Sequence, residues 1–94
     1  MGTGLNQMAS EQPGRRVSWF EFLRIEAGLA MCFIDSARIQ SNPANKVRLI
    51  ENACKALAEI QRGLMKPTAR GLSEDEVSFL EQRRADIELA IATF

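Results

Sequence analysis

Few residues in this 94-residue sequence can do chemistry, and the missing ones narrow the choices first. There is no histidine and no tyrosine, which removes imidazole triads, histidine phosphotransfer and most zinc sites. Two thiols, Cys32 and Cys54, form no Cys-x-x-Cys pair and cannot by themselves complete a structural zinc site. What remains is charge set against an apolar pattern. On a helical wheel Glu26 lies between Phe22 and Trp19, with Leu29, Ala30, Phe33 and Ala37 nearby, and Arg84 lies between Val77 and Ile91. A buried charge without a partner is too costly to keep, so each needs an opposite charge or a route to water. Glu26 and Arg84 are therefore expected to pair. They serve either as a structural ion pair that fixes helix register, the preferred reading, or as polar contacts in a ligand cleft that also takes in Gln61.

Three further groups have a chemical reading. Arg62, Lys66 and Arg70 form a basic run free of acids, able to meet a phosphate or an acidic partner. Three charges release few counterions, however, and the connection is too long for a helix-turn-helix, so nucleic-acid binding is disfavoured. Asp35-Ser36 is similar to the Asp-Ser pair on which carrier proteins accept a phosphopantetheine arm. Here, though, the serine falls near the end of a helix and Ala37 follows it, so ordinary helix surface is expected. Cys32 aligns with Ile25 and Ile39 along one edge of the first helix, beside Gly28. Glycine inside a helix costs about 1 kcal/mol relative to alanine, so a close neighbour is one reason to find it there. Ile25, Gly28, Cys32 and Ile39 thus make a candidate partner seam, while Cys54 reads as an inert core residue.

The elements that must position these residues are three helices. Ser18 and Glu21 have the spacing of a capping box, and Val17 can staple to Phe22. The first helix is expected over 18–39, with 14 of the 21 residues from Trp19 to Ile39 apolar. A helix so apolar must contact more than one neighbour. Asn42 as cap and Pro43 at the first position open a second helix over 43–64. Its apolar face is expected to be Val47, Ile50, Ala53, Cys54, Leu57, Ile60 and Leu64, with fraying at Gly63 and a stop at Pro67. A second capping box, Ser73 with Glu76, opens a third helix over 74–93, with Leu72 stapled to Val77 and a seam of Val77, Leu80, Ile87, Ile91 and Phe94. Short links predict an all-α, up-down-up three-helix bundle over 17–94, preceded by a flexible tail over 1–16 in which Met8 is a second candidate start.

Composition bounds the function. Twelve basic residues balance twelve acidic ones, which argues against a protein built mainly to hold nucleic acid or an anionic membrane. The longest apolar stretch, 27–34, is too short to span a bilayer, and no signal peptide is evident, so a cytoplasmic chain with reduced thiols is expected. No phosphate loop, nucleophile elbow or metal-spaced acid pair appears, so no catalytic residue, cofactor, metal or small-molecule substrate is assigned. The leading expectation is a non-catalytic helical protein–protein interaction or oligomerisation module. Its partner is a second copy or another protein, with Trp19, Ile25, Gly28, Cys32, Ile39, Phe79 and Leu89 at the interface. Two alternatives stand beside it. In length, helicity and histidine-free polar chemistry the chain is similar to the helical chorismate mutases, but their basic clamps do not align here. A nucleic-acid regulator would need the basic loop and Arg83 to converge with Arg15 and Arg16.

Overall fold

A computed structural model describes residues 18–94, and it is a three-helix bundle without strands among those residues. Helix α1 spans Trp19–Ile39, α2 Pro43–Met65 and α3 Glu74–Ala92. Each start has the predicted cap residue, though at α1 only one arm of the expected capping box forms. The Ser18 hydroxyl accepts from the Glu21 N–H at 3.1 Å. The Asn42 carboxamide oxygen accepts from Ala44 and Asn45 ahead of Pro43. At α3 both arms of the capping box form: the Glu76 N–H donates to the Ser73 hydroxyl, and the Ser73 N–H donates to the Glu76 carboxylate. Such reciprocal bonds satisfy helix-end donors that would otherwise lack partners. The tail, the Val17 staple, Arg15, Arg16 and Met8 lie outside the described residues.

Helices α1 and α2 pack most extensively and run antiparallel, since Leu23 near the start of α1 meets Gly63 near the end of α2. Helix α3 lies parallel to α1, with Phe20 and Phe79 edge-to-face at 5.6 Å close to both N-termini. Between α2 and α3 the chain turns through Gly71, whose φ of 70° is the left-handed conformation glycine adopts without a Cβ clash. The Leu72 N–H reaches back to the Pro67 carbonyl at 3.0 Å, and the Arg70 guanidinium lies 4.1 Å from the centroid of the Trp19 ring. A cation over an indole face attracts the ring quadrupole, so this contact ties the α2–α3 loop to the start of α1.

The core lines are narrower than the sequence pattern implies. In α1 the buried residues are Leu23, Ala27, Ala30, Ile34 and Ala37, and in α2 they are Ala53, Ala56, Ile60 and Gly63. Alanine and glycine dominate because α1 and α2 approach closely, and a larger side chain on either line would hold them apart. The buried arc of α2 is consequently rotated away from the expected face. Cys54, expected in the core, is exposed, and so is Val47, while Ile50, Leu57 and Leu64 are only partly buried. In α3, Leu80 and Ile87 are fully buried, but Phe94 is exposed and lines a hollow at the end of the bundle with Pro43, Val47 and Ile50. Gly63 also departs from expectation. Instead of fraying the helix it lies within it, where a Cβ would collide with Leu23.

Candidate interaction surface

Helix α1 is apolar on two opposite faces. Its core line consists of Leu23, Ala27, Ala30, Ile34 and Ala37. At about 100° per residue, Ile25, Gly28, Leu29, Cys32 and Ile39 lie on the far side of the same helix. All five are exposed, Ile25 by 50%, Leu29 by 42% and Ile39 by 87%. The residues turned inward are on average smaller than those turned outward. Close packing against the alanines of α2 selects the small line for the interior and leaves the branched residues outside. No described atom beyond the helix itself lies within 4 Å of a Cβ built on Gly28, so the outer face is open along its middle.

The predicted interface residues divide into two groups. Ile25, Gly28, Cys32 and Ile39 share the outer face of α1, joined by Leu29, which periodicity alone left beside Glu26. Trp19 sits apart, edge-to-face with Phe22 at 5.7 Å and under Arg70. Phe79 is taken up partly by Phe20, whereas Leu89, 65% exposed, stands three turns further along α3. The structure therefore assembles one apolar line from Ile25 to Ile39, with Trp19, Phe79 and Leu89 as separate exposed residues.

The expected ion pair between Glu26 and Arg84 does not form. Glu26 projects from the flank of α1 that faces α2, where it shares an open groove with Phe22, Phe33, Asn52, Lys55 and Glu59. Phe20, which meets α3, is on the other flank. Two residues in one axial layer cannot pair when they leave the helix toward different neighbours. Arg84 instead bonds Glu88 on its own helix at 2.9 Å, and Glu88 also accepts from the Gln61 side chain at 3.0 Å. Neither Glu26 nor Arg84 is buried; among the described residues no charged or polar side chain is. Gln61 and Arg84 thus meet through Glu88, with Glu26 outside their group.

Within the basic run, Lys66 is exposed at the end of α2 with no ion pair among the described residues, and its carbonyl accepts from the Arg70 N–H. Arg62 pairs with Glu59, Arg70 covers Trp19 and Arg83 pairs with Asp86, so each guanidinium has a local partner. Asp35 is engaged by Arg38 at 3.1 Å, and Ser36 is exposed helix surface. Cys32 and Cys54 are free and exposed. Among the described residues no three of the Cys, Asp and Glu side chains converge as a metal site, and no helix is long and apolar enough to cross a membrane. No protein-family model, curated protein or solved structure matches the chain.

Proposed function

We propose that the chain is a small non-catalytic interaction module whose working surface is the outer face of α1. One observation carries this reading. Ten large apolar side chains are exposed among the described residues, while only five large ones are fully buried: Leu23, Ile34, Ile60, Leu80 and Ile87. Scattered exposed apolar residues are ordinary, but three of these, Ile25, Leu29 and Ile39, share one face of α1 with Gly28 and Cys32, the pattern of a surface completed by another protein. The alanine-rich core points the same way. Small side chains bury little apolar area each, so a core of this kind contributes modestly and burial of the outer face would add to it. Free thiols fit a reducing compartment, and we assign the cytoplasm.

A photo-crosslinker on the two native thiols tests the proposal. It is attached to Cys32 in a Cys54→Ser chain, or to Cys54 in a Cys32→Ser chain, and irradiated in extract of the cell that makes the protein. The expected result is a protein adduct of discrete mass from position 32, abolished by Leu29→Glu and absent from position 54. Equal labelling from both positions, or none from position 32, would overturn the reading.

A further inference from the structure

We propose that the protein covering this face is a second copy of the chain, packed antiparallel about a two-fold axis level with the Leu29–Ala30 peptide. The inference rests on the reading of the outer face as a protein-binding surface and adds the partner and its orientation. The order of charges beside the apolar line identifies both. Arg24 and Asp35 flank that line on the side toward α3, whereas Glu21 lies within it at the bearing of Ile39 and Arg38 points further round, at the bearing of Phe20. Arg24 and Asp35 stand equally far from the Leu29–Ala30 midpoint, about 8 Å each at 1.5 Å per residue. This equidistant pair joins a base to an acid.

A two-fold axis perpendicular to the helices reverses their direction and keeps each flank on its own side. Every Arg24 then comes level with Asp35 of the second copy. Charges flanking an apolar helix seam are the positions that choose partner and orientation. In a parallel pair Arg24 and Asp35 would instead face the opposite flank, where Leu29 and Ser36 carry no charge and Glu26 lies further round, toward α2. Arg24 has no ion-pair partner among the described residues, and Asp35 holds only Arg38 from its own helix. Both are exposed and available.

The apolar line fits the same register. The two Leu29 side chains meet beside the axis on the α2 flank. The two Gly28 positions fall beside it on the other flank, where the missing side chains let the helices close, and each Gly28 is open in the single chain. Ile25 falls between Cys32 and Ser36 of the second copy. Ile39, the most exposed large apolar residue described, comes level with the turn that carries the other Phe22.

Charge reversal and crosslinking together test the arrangement in the full chain. By light scattering the protein is expected at twice its 10.5 kDa mass at tens of micromolar. Leu29→Glu is expected to be monomeric with unchanged helical circular dichroism. Arg24→Glu and Asp35→Arg should each weaken association about tenfold, because the symmetry repeats every pair twice, and the double variant should recover most of that loss. In a Cys32→Ser, Cys54→Ser background, Leu29→Cys should crosslink to itself on oxidation and Ile39→Cys should not, its two copies lying about 28 Å apart along the helices. Crosslinking of both, or a double variant weaker than either single one, would overturn the antiparallel register. A chain monomeric at 100 micromolar would overturn the second copy as partner, while a discrete foreign adduct from position 32 in extract would leave the reading of the face standing. A monomer whose Cys32 is protected from thiol reagents until residues 1–17 are removed would overturn the inference in favour of the chain's own N-terminal segment.

Discussion

Substituting the two helical glycines by alanine should have opposite effects, and the difference follows from the geometry. Gly63 is buried in α2, and a methyl built on it falls well inside van der Waals contact with Leu23 Cδ1 and lies 3.3 Å from Cδ2. Carbon atoms in contact prefer about 3.5–4.0 Å, so Leu23 would have to retreat by more than 1 Å. Leu23 is fully buried, so its methyl groups can yield only against packed neighbours. Overpacking of this kind costs about 1–3 kcal/mol, against which the helix gains about 1 kcal/mol from replacing glycine. Gly63→Ala is therefore expected to destabilise by about 1 kcal/mol, or roughly 4–8 °C in Tm for a domain of this size. Gly28→Ala meets no obstacle and should stabilise the single chain by up to about 1 kcal/mol. Thermal and urea melts followed at 222 nm measure both, at one low protein concentration because self-association would raise apparent stability. A double variant makes the test sharper. Leu23→Ala alone should cost about 2–5 kcal/mol, and adding Gly63→Ala should then cost nothing or recover part of the loss, since the new methyl enters vacated space. Equal stabilisation by Gly28→Ala and Gly63→Ala, or strict additivity with Leu23→Ala, would refute the close approach of α1 and α2 at this point.

Two further predictions concern the charges. Glu26→Gln should change stability by less than about 0.5 kcal/mol, whereas Arg84→Met should cost up to about 1 kcal/mol through loss of its bond to Glu88; urea denaturation checks both, and a large loss from Glu26→Gln would restore the abandoned pairing. Trp19 is the only tryptophan in the chain and reports on its own surroundings. Arg70→Met should shift its fluorescence emission and cost about 0.5–1 kcal/mol as the guanidinium leaves the indole face, and an unchanged spectrum would contradict that contact.

The architecture was legible because helix ends are local. Ser18, Asn42 with Pro43, and Ser73 with Glu76 cap helices through atoms within three residues of one another, so spacing alone places the starts to within a residue. Facing is a different matter. Helix α1 is apolar around most of its circumference, and a pattern without a polar side has no phase from which an inward direction can be read. Periodicity also grouped Cys54 and Val47 with Ile50, Leu57 and Leu64, although the buried arc of α2 passes through Ala53, Ala56, Ile60 and Gly63. The signal that would have located it is the run of small residues on both α1 and α2, which marks where two helices can come closest.

The sequence by itself determined three capped helices, their antiparallel succession, a composition without histidine, and an excess of apolar residues in α1. Tertiary packing decided where that excess goes. Close approach at Gly63 and the alanines took the small line of α1 into the core, and turned Ile25, Leu29, Cys32 and Ile39 outward. The same packing sent Glu26 toward α2 and left Arg84 to Glu88, because a pairing between helices depends on which flank each residue leaves from, and that direction is fixed only when the helices dock.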